Sequence, residues 1–207
     1  MHKPAAGNLR RVTVSSLFGS TIERYDFFLY GTVAGMVFNK LYFPEGDPFV
    51  TTLLSYGVFA IGFLTRPLGA IIFGHFGDTL GRKNMLILTL VIMGGATVAI
   101  GLIPSYQQIG LWAPCLLITC RMIQGIGLGG EWGGAVLMTF ESAPEKNRDF
   151  FASIPQVGMS LGLLLASGAI GLASFTLSDE DFMSWGWRVP FLLSGVFVII
   201  GTYIRKN

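Results

Sequence analysis

Apolar residues fall in long blocks separated by short polar stretches, the blocks lying at about 13–38, 51–73, 85–104, 112–139, 150–173 and 188–204. A run of about 20 apolar residues crosses the hydrocarbon core as a helix. The pattern therefore predicts an all-α, polytopic membrane protein, with six transmembrane helices forming one unit over residues 1–207. The polar stretch at 74–83, GHFGDTLGRK, reads as the turn between the second and third helices. Its glycines, Gly74 and Gly81 among them, permit a sharp change of direction. Asp78 stands four and five residues before Arg82 and Lys83, close enough for opposite charges to meet, so the stretch reads as a latch at a membrane surface.

Composition agrees with the pattern. Charged residues make up 13% of the chain and hydrophobic residues 52%, with a mean hydropathy of +0.61, whereas soluble domains carry about 25% charged residues. The net charge of +2 is too small to argue for a nucleic-acid partner; the partner is the lipid bilayer. The basic N-terminus is followed by a block holding Glu23, Arg24 and Asp26 with no small-residue cleavage pattern, so a retained first helix is expected rather than a removed leader.

Loop charges set an expected orientation. With the N-terminus in the cytoplasm, the inner segments collect Lys3, Arg10, Arg11, Arg82, Lys83, Lys146, Arg148, Arg205 and Lys206, and the outer ones Lys40 and Arg188. Positive charge concentrates on the cytoplasmic side, which places both termini there. The outer loops carry Glu45, Asp47, Asp179, Glu180 and Asp181, with Pro44 and Pro48 as turn formers.

Glycines at four-residue spacing read as helix contact faces: Gly31 with Gly35, Gly125 with Gly129, Gly130 with Gly134, and Gly158 with Gly162. The segment 125–130, GIGLGG, also fits a dinucleotide-binding pattern, but that pattern needs a preceding strand and here it lies in a membrane helix. Packing is the reading kept, and no cofactor is expected.

A charge at the centre of a membrane helix costs about 2.5–3.5 kcal/mol on insertion scales, so such residues face a partner or an aqueous cavity. In helix 1, Glu23 and Asp26 share a face, and Arg24 lies about 100° round the helix. Two buried carboxylates disfavour ionising together, which suits proton handling; the structural alternative is ion pairing with Arg24 or Arg121. In helix 4, Arg121, Gln124 and Glu131 interrupt RMIQGIGLGGEWGG. A fixed cation with a carboxylate on one helix suits an anionic substrate and its proton, the alternative being that Arg121 only neutralises a carboxylate of helix 1. Arg66 and Pro67 in helix 2, and Pro155 with Gln156 in helix 5, read as kink or gating features. Trp185 and Trp187 fit an interfacial belt.

No membrane-embedded catalysis is expected. His2 and His75 lie outside the spans, so neither a metal site nor a nucleophile with its base can be assembled. Cys115 and Cys120, about 7.5 Å apart along a helix axis, read as packing residues.

The stretch GHFGDTLGRK resembles the signature loop of the major facilitator superfamily, and RMIQGIGLGGEWGG resembles its helix 4 signature. With GSTIERYDFFLYG, RPLGAIIFG and WGWRVPF, the pattern is similar to the metabolite:proton symporter family within it. The resemblance implies twelve helices in two halves, each a 3+3 inverted repeat, with substrate held between halves near the midplane. This chain would be the N-terminal half, the C-terminal half being supplied separately or replaced by a second copy. Asp78 would then clamp the cytoplasmic gate against the other half with support from Arg82, and Arg121 would take part in proton coupling. Family members carry small solutes such as dicarboxylates, shikimate, proline or betaine, so an anionic or zwitterionic metabolite and a proton are the expected ligands. Helix 5, FASIPQVGMSLGLL, lacks the glycine-proline motif of antiporters. Alongside symport stand two further expectations, a passive facilitator and a truncated half that inserts without transporting.

Overall fold

The structure, a computed structural model, describes residues 6–130, 144 and 148–206. Helix α1 (Ala6–Val33) continues through a π-helical turn, Ala34–Phe38, into α2 (Asn39–Leu41). Helices α3 (Pro48–Leu64) and α4 (Arg66–Leu80) form the second crossing, α5 (Arg82–Leu102) the third, and α7 (Trp112–Gly129) the fourth, after the short α6 (Tyr106–Ile109). Helix α8 (Arg148–Thr176) is the fifth; the single turn α9 (Asp179–Asp181) and a π-helical turn, Phe182–Gly186, lead to α10 (Arg188–Lys206), the sixth. Among the described residues there are no strands. The expected end of the fourth span, with Glu131 and Gly134, lies outside the described residues, as do Lys3, Lys146 and the side chains of Asp78, Arg82 and Lys83.

Among the described residues, four stretches are long and apolar enough to cross a membrane: Pro48–Gly77, Asn84–Leu102, Arg148–Thr176 and Arg188–Arg205. The two remaining long helices, α1 and α7, are those that carry Glu23, Arg24 and Asp26, and Arg121 and Gln124. Large apolar side chains such as Leu64, Ile71, Leu164, Phe175 and Ile199 point outward, as a hydrocarbon surround allows and water does not.

The expected turn at 74–83 needs correcting. Helix α4 runs on through Gly74 and Gly77 to Leu80, and the change of direction falls on Gly81 alone, at φ 91°. That backbone region is open to glycine and strained for other residues. The expected kink at Pro67 also moves. The second crossing breaks at Thr65, and Pro67 sits in the first turn of α4, where its missing N–H costs nothing. Asp47 caps α3 by accepting from the Phe49 N–H at 2.7 Å, with Pro48 as the first helical residue.

Helix contacts follow the small residues. Gly158 and Gly162 bring α8 against α1, where an added Cβ would press on Ser20, Thr21, Arg24 and Tyr25. Gly125 and Gly129 seat α7 against the backbone of Gly62 and Arg66, and Gly127 faces Thr89 and Met93 of α5. GIGLGG is thus a two-sided helix contact. Gly31 and Gly35 meet only the side chains of Phe59 and Tyr56.

An aromatic cluster closes one end of the unit. Phe38, Tyr42, Trp187 and Phe191 pack edge to face or tilted, with centroids 5.1–6.0 Å apart. Trp187 is 0% exposed and Trp185 is 49% exposed, so the belt expected of both tryptophans is ruled out for the buried Trp187. Arg188 stacks on Trp187 at 4.6 Å and donates to the carbonyls of Gly101 and Ile103 at 2.7 and 2.8 Å. These carbonyls end α5, where a cation also offsets the helix dipole.

Candidate functional site

Helix α7 presents Arg121, Gln124, Gly125 and Leu128 on one stripe, the i, i+3, i+4, i+7 spacing of a single helix face. That face turns toward Asp26 and Phe27 of α1, Gly62 of α3, Arg66 of α4 and Met93 of α5, around a cavity of about 20 Å³. A water needs about 10–15 Å³ on that measure. The cavity is therefore large enough for one water-sized group.

One chain of hydrogen bonds crosses this wall. Arg121 Nη1 donates to Gln124 Oε1 at 2.7 Å, Gln124 Nε2 donates to Thr97 Oγ1 at 2.6 Å, and Thr97 donates to Asp26 Oδ2 at 2.8 Å. Ser194 of α10 donates to the other carboxylate oxygen, Oδ1, at 2.7 Å. Asp26 and Arg121 are 3% and 5% exposed. Every bond points from the cation toward the carboxylate, so each polarises the next in the same sense. Arg121 and Asp26 also act on each other electrostatically, so the neutralising role considered for Arg121 stands beside this bridge through Gln124 and Thr97.

Aromatic rings hold the cations. The Arg121 guanidinium lies 4.0 Å from the Tyr30 ring centroid and 4.9 Å from that of Phe59, and Arg66 lies 4.3 Å from Phe63 and 5.8 Å from Phe27. Such contacts contribute about 0.5–2 kcal/mol. Room for Arg121 exists because residue 62 is glycine: a Cβ there would stand 3.3 Å from Nη2.

The expected site residues thus separate. Asp26, Gln124 and Arg121 come together. Arg66, expected as a kink or gating residue, lines the same cavity. Glu23 shares a helix with Asp26, but its recorded ion pair is with Arg24, at 3.9 Å, and both charges also act on Arg66. Pro155 lies inside an unbroken α8, buried, three residues before Gly158 on the face toward α1. Thr97, Ser194, Tyr30 and Phe59 went unmarked in the sequence, where hydroxyls and aromatic rings in apolar helices are common. Cys115 and Cys120 are both free thiols, and no metal-binding cluster occurs among the described residues.

Comparison with known proteins agrees with this architecture. The profile of the sugar (and other) transporter family matches residues 12–205. The shikimate transporter of Escherichia coli K12 is 52% identical over 198 residues, 96% of this chain and 45% of that protein. The proline/betaine transporter of Salmonella typhimurium LT2 is 42% identical over 199 residues, 96% of this chain and 40% of that protein. The chain thus spans about half the length of the curated relatives it matches. The inward-open xylose transporter XylE from E. coli superposes with a TM-score of 0.81 at 15% identity, covering 96% of this chain and 48% of that one, a likeness that shows the fold. The resemblance read from the five motifs is borne out: this multi-pass membrane protein belongs to the sugar (and other) transporter family of the major facilitator superfamily.

Proposed function

We propose that this chain is the N-terminal half of a proton-coupled symporter for a small anionic or zwitterionic metabolite, working by alternating access in the cell inner membrane. The observation that carries the reading is the bonded path from Asp26 through Thr97 and Gln124 to Arg121. It ties a buried proton acceptor to a buried cation at the rim of one cavity. Asp26 takes up the proton, and Arg121 with Arg66 receives the anionic group of the solute. The Nε atoms of both arginines are buried without a hydrogen-bond partner among the described residues. Two guanidinium groups facing one small cavity repel each other, and a carboxylate between them relieves that repulsion. Relatives named as shikimate and proline/betaine transporters handle solutes bearing such a group, and one relative is named an inner membrane metabolite transport protein.

Because the cavity admits one group, the rest of the solute contacts surface from elsewhere, either a C-terminal six-helix half or a second copy. The unequal distribution of Lys and Arg over the loops supports both termini in the cytoplasm. In the cytoplasmic signature stretch that ends at Arg82 and Lys83, Asp78 clamps the partner half with support from Arg82.

Uptake of labelled shikimate, proline and betaine into proteoliposomes tests the reading, with the chain alone and with the C-terminal half of a relative. Accumulation driven by an inward proton gradient and abolished by an uncoupler is expected in at least one arrangement. Equilibration insensitive to the uncoupler makes the protein a passive facilitator. No uptake in either arrangement makes it a half that inserts without transporting.

A further inference from the structure

Thr97 occupies the one junction of the bonded path where the direction of a hydrogen bond can reverse. Its hydroxyl has a single proton and two acceptors within reach: Asp26 Oδ2 at 2.8 Å and the Met93 carbonyl, one helical turn back, at 3.1 Å. At the same time its oxygen accepts from Gln124 Nε2 at 2.6 Å. Among the described residues Ser194, on the other carboxylate oxygen, has no second acceptor. A proton arriving on Asp26 is therefore accommodated on Oδ2, beside the hydroxyl that has somewhere else to turn.

We propose that Thr97 is a positioning residue that transmits the protonation of Asp26 to Arg121. This rests on the proton-coupled reading above. With Asp26 ionised, Thr97 donates to the carboxylate, Gln124 donates to Thr97, and Arg121 is held by Gln124. With Asp26 protonated, the carboxyl O–H donates to Thr97, which turns its own proton to Met93. Two donors, the carboxyl and the Gln124 amide, then converge on one hydroxyl oxygen. The Gln124 bond weakens, its carbonyl is no longer polarised toward Arg121, and the guanidinium is released toward the cavity. Proton binding thereby favours anion binding at Arg121, the sign that symport requires. The movements are confined to a hydroxyl rotor, a side-chain amide and the guanidinium they release.

The titratable and charged groups around Asp26 include Glu23, Arg24 and Tyr25 on its own helix, Arg66 from α4 and Arg121 from α7. Helices α5 and α10 offer it the hydroxyls of Thr97 and Ser194, and α8 meets α1 through glycines. Thr97 is thus the connection between the carboxylate and the α7 cation that carries no charge of its own and can change direction.

Infrared difference spectroscopy of the full chain in lipid, stepped in pH, tests this. The Asp26 carboxyl band is assigned by its loss in Asp26→Asn, and the guanidinium band of isotope-labelled arginine by its loss in Arg121→Lys. In the wild type and in Thr97→Ser the guanidinium band shifts in step with the carboxyl band. In Thr97→Val, which keeps the shape and removes the hydroxyl, the carboxyl band still appears with pH and the guanidinium shift is lost. Gln124→Leu breaks the path at its other end and gives the same loss, which keeps the test decisive should Thr97→Val fold poorly. A guanidinium shift retained in both variants overturns the relay. Absence of a titrating Asp26 band in the wild type overturns the proton-coupled reading itself.

Discussion

Helix α8 contains a controlled experiment in its own glycines. At Gly162 an added Cβ would stand 2.5 Å from the Arg24 Cβ and 2.7 Å from both the Thr21 carbonyl oxygen and the Tyr25 nitrogen. At Gly158 it would stand 2.8–3.1 Å from Ser20 and Thr21. Most of these atoms are backbone, so no rotamer change relieves the overlap. Ordinary contact begins at 3.4 Å, and alanine at 162 thus forces α8 off α1 by about 0.7–0.9 Å, alanine at 158 by about 0.3–0.6 Å. Overpacking of this kind costs about 1–3 kcal/mol, with Gly162→Ala toward the upper end and Gly158→Ala toward the lower. The withdrawal forced at 162 already exceeds that needed at 158, so the double variant is expected to cost no more than Gly162→Ala alone, a strong departure from additivity. Gly168 and Gly171, on the same helix, have nothing within 4 Å of an added Cβ. Their alanine variants are expected within about 0.5 kcal/mol of wild type. The assay is reversible unfolding in mixed micelles, titrated with SDS and followed by circular dichroism. Additive costs at 158 and 162, or a cost at 168 matching that at 162, refute the argument.

Three further outcomes follow from the same geometry. Gly62→Ala places a Cβ 3.3 Å from Arg121 Nη2; the guanidinium shifts by a few tenths of an ångström, and solute affinity measured by equilibrium binding falls by roughly three- to tenfold, with micelle stability unchanged. Trp187→Ala, emptying a fully buried site among Phe38, Tyr42 and Phe191, costs about 3–5 kcal/mol in the SDS titration, while Trp185→Ala stays within about 0.5 kcal/mol. Arg188→Gln removes the charged donor from the Gly101 and Ile103 carbonyls; a loss of about 1.5–3 kcal/mol appears with faster hydrogen exchange confined to the end of α5, and Arg188→Lys restores only part of it.

The six crossings were legible in the sequence because block length and apolar content are direct consequences of bilayer thickness. Asp26, Gln124 and Arg121 were legible for the complementary reason: polar and charged groups in an apolar helix cost energy, so they stand out. Thr97 and Ser194 gave no signal, since hydroxyls in helices commonly bond their own preceding turn, and the Met93 carbonyl is within reach of Thr97 in that way. Arg66 was read through its neighbour Pro67, although the proline lies in a first turn and the arginine faces the cavity. The tryptophans misled by proximity. Two positions apart near a helix start, they point in opposed directions, one into the aromatic cluster and one outward. The glycine-rich text at 74–83 overstated the turn, because Gly74 and Gly77 lie within a helix.

That correction bears on chain length rather than on charge. With α4 and α5 joined by Gly81 alone, the connection has no slack, and each added residue displaced into a helix turns everything beyond it by about 100°. One insertion after Gly81 would rotate Thr97 away from Asp26 and Thr89 away from Gly127, some two to four turns distant. Epitope tags, protease sites and fluorophore loops placed at this corner are expected to abolish assembly, whereas the same insertions at 44–46, in the exposed connection ahead of α3, are expected to be tolerated. Protein yield and the SDS unfolding midpoint of the two insertion series give the comparison, and equal tolerance at both places would show that the corner can lengthen after all.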